Sequence, residues 1–146
     1  MPESWMELLR KFGGEYGAAT GRPRRVGPFD AVASRYGLKC QNADKIALTK
    51  LDVLSMMKEI PVIVGYKKGN QEVTDFDPVE DLEEYAPIVR MLPGWQTDIS
   101  GCKTYDELPD AAKTYVETLE DLLQHEIQFI SVGAERSQYL TKGEWL

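Results

Sequence analysis

The stretch IALTKLDVLSMMKEIPVIVGY at 46–66 decides the fold. Ile46 to Thr49 reads as a short buried strand, entered from the polar turn Gln41–Lys45. Leu51 to Met57 reads as a short helix or turn. Ile60 to Tyr66 reads as the clearest strand, with Pro61 near its start, where a missing N–H is tolerated. Short apolar strands mixed with segments of helical periodicity indicate an α/β chain.

Upstream, Asp30 is placed to cap a helix over 31–38, with Val32, Tyr36 and Ala33 on its core side. Trp5, Leu8, Leu9 and Phe12 recur at helical spacing and predict a helix over 3–12 that stops at Gly13-Gly14. Downstream, Lys67-Lys68-Gly69-Asn70 predicts a hairpin turn, with a returning strand over 72–76. The acidic run 77–84 reads as a solvated loop or helical turn. Pro87–Leu92 reads as a strand stopped by Pro93-Gly94, and Trp95 as a packing residue. Asp106–Gln124 predicts the longest helix, with Ala112, Tyr115, Val116, Leu119, Leu122 and Leu123 at threes and fours. Ile127–Val132 reads as the last strand, ended by Gly133.

At 146 residues the chain has the size of one domain. No apolar run approaches the roughly 18 residues that span a bilayer, and the first residues lack the apolar core of a signal peptide. Cys40 and Cys102 make neither a disulfide framework nor a metal-ligand spacing, which suits reduced thiols in a cytoplasmic protein. His125, the only histidine, reads as a cap or surface residue. The net charge is −7, unevenly spread. Residues 1–58 hold ten Lys/Arg against six Asp/Glu, and residues 59–146 hold seven against eighteen. Positive charge gathered near one loop of an acidic chain points to small anionic ligands. It excludes the spread basic surface of a nucleic-acid binder.

That loop is Gly-Ala-Ala-Thr-Gly-Arg-Pro-Arg-Arg at 17–25. Gly21 bends the backbone and Pro23 stiffens it. Arginine's planar fork matches carboxylate and phosphate oxygens in pairs. The loop therefore reads as an anion holder, or more plainly as a solvated basic loop. The second candidate is Thr49-Lys50-Leu51-Asp52, directly after a strand. In open α/β sheets ligands bind beyond the carboxyl ends of strands. Asp52 can accept hydrogen bonds from the ring N–H and exocyclic amine of guanine, two adjacent donors that adenine lacks, while the Lys50 stem lies along the base. The plain alternative is a helix start with an acid in its first turn. Ser131-Val132-Gly133 ends another strand, where a hydroxyl and exposed N–H groups could hold a base oxygen. Its plain alternative is an ordinary strand-to-loop turn.

Together these segments resemble the adenylosuccinate synthetase family. GGEYGAATGRPRRVGPFD at 13–30 is similar to the family's aspartate-binding loop and the segment after it, and ALTKLDVLSMMKEIPVIVGY at 47–66 to its guanine-recognition segment and next strand. MLPGWQTDISG at 91–101, the Asp-Glu-Leu-Pro start at 106–109 and IQFISVGAER at 127–136 come next in the family's order. The likeness runs from about residue 8 to 138. Two departures stand out: Ala19 replaces a loop threonine, and Pro28 stands where many members have tryptophan.

The resemblance implies a GTP-dependent ligase of purine (AMP) biosynthesis that joins IMP and L-aspartate. GTP phosphorylates the 6-oxygen of IMP, and the aspartate amine displaces that phosphate. It implies that Ala18, Ala19, Thr20, Gly21, Arg22, Pro23 and Arg24 form the aspartate/IMP loop. Within it Thr20 and Arg22 hold aspartate, Arg22 also meets IMP, and Arg24 reaches the GTP phosphates. Lys50, Leu51, Asp52, Ser131, Val132 and Gly133 match the guanine contacts. The family's chains are much longer. Their N-terminal part carries a Gly-Asp-Glu-Gly-Lys-Gly-Lys phosphate loop, the catalytic aspartate and histidine, the Mg2+ ligands and most of the IMP pocket. No such loop occurs in these 146 residues.

The expectation is thus an α/β C-terminal portion, residues 1–146, of a larger and mostly parallel sheet with flanking helices on a P-loop NTPase-like parent fold. Residues 17–25 form the aspartate loop, and 46–52 and 127–133 form the guanine-recognition strands and loops. No catalytic residue and no metal ligand lies in the chain, which is inactive alone. The missing N-terminal part is its partner, and the intact enzyme is a cytoplasmic homodimer using GTP and Mg2+, with neither nucleic acid nor membrane as partner. The rival reading is a non-catalytic nucleotide- or anion-binding module that acts with a partner chain.

Overall fold

The computed structural model describes residues 3–75 and 82–143. Helix α1 (Glu3–Gly13) turns Trp5 and Leu9 toward the core and leaves Leu8 and Phe12 exposed. A two-residue strand β1 (Phe29–Asp30) runs straight into α2 (Ala31–Gln41), whose cap is Asp30: its carboxylate accepts from the Ala33 N–H at 2.9 Å. The buried residues of α2 are Ala31 and Val32, while Ala33 and Tyr36, expected on the core side, are exposed. Burial falls along the helix after its first turn, and Arg35 reaches across to the Leu122 carbonyl at 3.4 Å.

Strand β2 (Ile46–Leu48) passes through a 3-10 turn (Leu51–Leu54) into β3 (Glu59–Lys68), and the hairpin at Gly69-Asn70 returns as β4 (Gln71–Val73). Most of the acidic run at 77–84 lies outside the described residues; Leu82–Glu84 form a 3-10 turn ahead of β5 (Ala86–Pro93). The long helix α3 is Asp110–Leu123, shorter than expected because Tyr105–Glu107 form a separate 3-10 turn and Pro109 starts the helix. Proline disfavours the helical region for the residue before it, so the pattern over 106–109 cannot join α3. Strand β6 (Ile127–Ser131) is followed by a further strand, β7 (Tyr139–Thr141), that the sequence reading did not anticipate.

Two sheets result. In the first, β5 runs antiparallel along β3 over Glu59–Lys67, while β1 (parallel) and β4 (antiparallel) share the other edge. In the second, β6 lies between β2, parallel, and β7, antiparallel. The chain is α/β with flanking helices, and its sheets are mixed: among the described residues only the β1–β3 and β2–β6 joins are parallel. The core gathers Leu51, Ile60, Val62, Ile99, Ile130 and Leu140 around the apolar stripe Ala112, Tyr115, Val116, Leu119 of α3. Each fully buried aliphatic side chain there contributes about 1.5–3 kcal/mol relative to exposure. Glu120 ties α3 to β6 and to the residue after β7, accepting from the Ile127 N–H and pairing with Lys142.

Candidate functional site

Parallel pairing of β2 with β6 brings the two strand ends, and therefore two distant motifs, side by side. Lys50 follows β2 in the left-handed region, φ 60°, a costly conformation for a residue with a β-carbon. It is held there by its own N–H, which donates to Ser131 Oγ at 2.8 Å. Leu51 then enters the core at 1% exposure, which fixes the turn from below. Asp52 comes next. Its Oδ1 is buried with no hydrogen-bond partner among the described residues. Burial raises its pKa above the ordinary aspartate value, its own backbone N–H and the Lys50 ammonium oppose this, and the Asp98 carboxylate adds to it. An unpartnered buried carboxylate oxygen is costly unless a ligand donates to it.

Val132 is fully buried, and its N–H donates to the Gln138 carbonyl at 3.0 Å. Gly133 packs against the side-chain amide of Gln138: a β-carbon there would lie 2.2 Å from Gln138 Oε1. That amide accepts from the Glu135 N–H at 3.0 Å and donates to the Ser100 carbonyl at 3.1 Å. The segment after β6 is therefore stitched to the 98–101 loop, whose Asp98 accepts from the Ser100 N–H at 2.9 Å.

The arginine loop is built differently. A bridge between Tyr16 and Pro23 closes it. Inside, Gly17 N–H donates to the Arg22 carbonyl and Gly21 N–H to the Gly17 carbonyl, both at 2.8 Å. The Arg22 N–H donates to Thr20 Oγ1 at 3.3 Å. Gly21 takes φ 65°, which glycine adopts without steric cost. Ala18, Ala19, Thr20, Gly21, Arg22, Pro23, Arg24 and Arg25 are all exposed. Among the described residues nothing pairs with the Arg22 or Arg25 guanidinium, whereas Arg24 donates to Glu15 Oε2 at 3.1 Å.

Glu15, which no motif in the sequence singles out, joins the two regions. Its Oε1 takes the Lys50 ammonium, which also donates to the Gly13 carbonyl at 3.1 Å. The hydrogen bond from Lys50, then that from Arg24, holds the Glu15 carboxyl below the usual glutamate range against the opposing effect of burial. An apolar cavity of about 250 Å3 opens beside these groups between Trp5, Leu9, Phe29, Leu48, Leu54 and Tyr115. Glu15, Lys50 and Leu51 also line it, whereas Asp52 and Ser131–Gly133 do not. Among the described residues no three His, Cys, Asp or Glu side chains come together as a metal site, and no helix is long and apolar enough to cross a membrane.

A family model described as adenylosuccinate synthetase matches residues 1–140. The adenylosuccinate synthetase of Trichlorobacter lovleyi is 47% identical over 133 residues, which cover 90% of this chain and 31% of that protein. That of Thermomicrobium roseum is 46% identical over 137 residues, 92% of this chain and 31% of that one. A solved structure of fully ligated adenylosuccinate synthetase from Plasmodium falciparum matches at TM-score 0.88 and 40% identity, over 98% of this chain and 35% of that chain. The chain thus spans 31% of the length of both curated relatives.

Proposed function

Because the chain belongs to the adenylosuccinate synthetase family, we propose that it supplies guanine recognition and aspartate capture to a GTP-dependent ligase that joins IMP and L-aspartate. The observation that carries this reading is the pair of motifs at the β2 and β6 ends: Lys50 tied to Ser131, with the unpartnered Oδ1 of Asp52 beside them. Asp52 accepts from the N1–H and 2-amino group of guanine, the Lys50 stem covers one face of the base, and Ser131, Val132 and Gly133 border its carbonyl edge. A buried carboxylate of this kind rejects adenine, which presents no pair of adjacent donors there.

The arginine loop takes the anions. Thr20 and the unpaired Arg22 bind the aspartate carboxylates, with Arg22 also meeting IMP. Arg24, held partly by Glu15, stands toward the GTP phosphates. Mg2+ supplies charge neutralisation at the transferred phosphoryl group, and its ligands belong to other parts of the enzyme, as do the catalytic acid and base. We infer that this chain alone makes no adenylosuccinate.

The test is to mix the purified chain with the portion of the Trichlorobacter lovleyi protein that it does not cover, adding IMP, GTP, aspartate and magnesium. Product absorbance that appears only in the mixture is the expected result. Turnover by the chain alone would overturn the division of labour. Guanine-nucleotide binding without turnover in the mixture would favour a non-catalytic binding module.

A further inference from the structure

Two sites described separately are joined by one side chain. Glu15 lies between the end of α1 and the arginine loop, and its carboxylate engages both Lys50 and Arg24. Its backbone takes part as well: the Arg24 N–H donates to the Glu15 carbonyl at 2.9 Å, and Arg10 Nε donates to the Arg24 carbonyl at 3.0 Å. The Glu15 side chain is only 20% exposed, against 55% for Lys50 and 57% for Arg24. The carboxylate is the shielded member of the trio, and the two cations are the exposed ones.

We propose that Glu15 is a positioning residue that couples the Lys50–Asp52 turn to the arginine loop, so that a guanine nucleotide on the turn orders the loop for its anion. This rests on the reading of Lys50–Asp52 as a base site. A base lying along the Lys50 stem restricts that stem and its ammonium. A restricted ammonium holds the Glu15 carboxylate, and the carboxylate holds the Arg24 guanidinium and, through it, the closing strand of the loop. The loop needs such an anchor. Residues 18–25 are exposed, and ordering a side chain such as arginine costs about 1.5–2 kcal/mol of rotamer freedom. A first ligand that has already ordered the loop leaves less for the second to order, which is positive cooperativity. Linkage makes the effect reciprocal: an anion in the loop tightens nucleotide on the turn by the same factor.

The experiment is amide hydrogen exchange on the 146-residue chain with and without saturating GDP. Exchange at Lys50 and Val132 should slow on addition of GDP. The loop amides of Gly17, Gly21, Arg22 and Arg24 should slow with them, by about fivefold or more, the lower end of ordinary coupling factors. In Glu15→Gln, GDP should still protect Lys50 and Val132 while the loop protection disappears; Glu15→Asp, which keeps the charge on a shorter stem, should restore part of it. Unchanged protection in α3 certifies that each variant is folded. Protection at Lys50 and Val132 with no change in the loop of the unsubstituted chain overturns the coupling alone. Loop protection that survives Glu15→Gln overturns the role of Glu15. Failure of GDP to protect Lys50 and Val132 overturns the base-site reading, and the coupling with it.

Discussion

The turn after β2 and the arginine loop differ in what holds them. The turn is held by the core: Leu51 beneath it is 1% exposed, Val132 beside it is fully buried, and the Lys50 N–H bonds across to the end of β6. The loop is held at the surface, through a bridge, two short backbone hydrogen bonds and the ties of Arg24 to Glu15 and Arg10, with every residue from 18 to 25 exposed. The difference matches what each is proposed to bind. Reading a base needs a carboxylate kept from water and kept still, which only a packed turn provides. Taking a small dianion needs guanidinium groups that are free to close on it, and a buried, fully paired arginine is not free.

The largest test of this contrast separates the arginines. In a reassembled enzyme Arg22→Leu should raise the KM for aspartate and lower kcat, and Arg24→Leu should affect aspartate and GTP together, with losses of about 10- to 1000-fold. Arg25→Leu should do little. If instead all three losses are similar, modest and fade together with salt, the loop acts only as a basic field. The turn is tested next by Asp52→Asn. It should weaken GTP by about 10- to 100-fold and improve the relative use of xanthosine triphosphate. Asp52 has a raised pKa, so the charged form lowers the stability of the fold as pH rises through the ordinary aspartate value toward its own. Removing the charge should therefore raise the melting temperature of the free chain at neutral pH, by about 2–4 °C for each 1 kcal/mol recovered. A lowered melting temperature would mean that the carboxylate is satisfied after all.

Glycine substitutions sharpen the same comparison at smaller cost. Gly133→Ala must displace the Gln138 amide and its two hydrogen bonds, about 1–2 kcal/mol, and should raise the KM for GTP alone. Gly21→Ala meets no atom within 4 Å but keeps φ 65°, about 1 kcal/mol of strain, and should raise the KM for aspartate alone. The smallest effect is on pH. Glu15 has a lowered pKa, so its contribution is present above the ordinary glutamate value and is lost as pH falls through its own, lower value. The protection of the loop amides, relative to their intrinsic exchange, should fall only below the ordinary glutamate range, and Glu15→Gln should abolish that acid step.

The Lys50–Asp52 turn and the arginine loop stand out in the sequence as candidate sites because each announces itself locally. One is a charged pair directly after an apolar strand, the other glycine, proline and arginine in one short run. The Asp30 cap and the apolar stripe of α3 were legible for the same reason, since helix periodicity and caps are local signals. What was not legible depends on distance in sequence. Strand β7 is three residues, too short for alternation to show, and exists because β6 offers it an edge. The two-residue β1 exists only against Val62 and Ile63. Glu15 looked like one acid among many until folding set Lys50, 35 positions away, against it. Gln138 likewise gained its role from Gly133 and Ser100.

The contact between Lys50 and Ser131 also settles the direction of a proton. A serine hydroxyl has one proton to give. Since Ser131 Oγ accepts the Lys50 N–H, that proton is turned away from the peptide and toward whatever lies over the turn. A carbonyl oxygen that approached there would meet a donor. In the proposed base site Asp52 would then select by accepting and Ser131 by donating, and the Lys50 N–H already occupies one acceptor position of the hydroxyl.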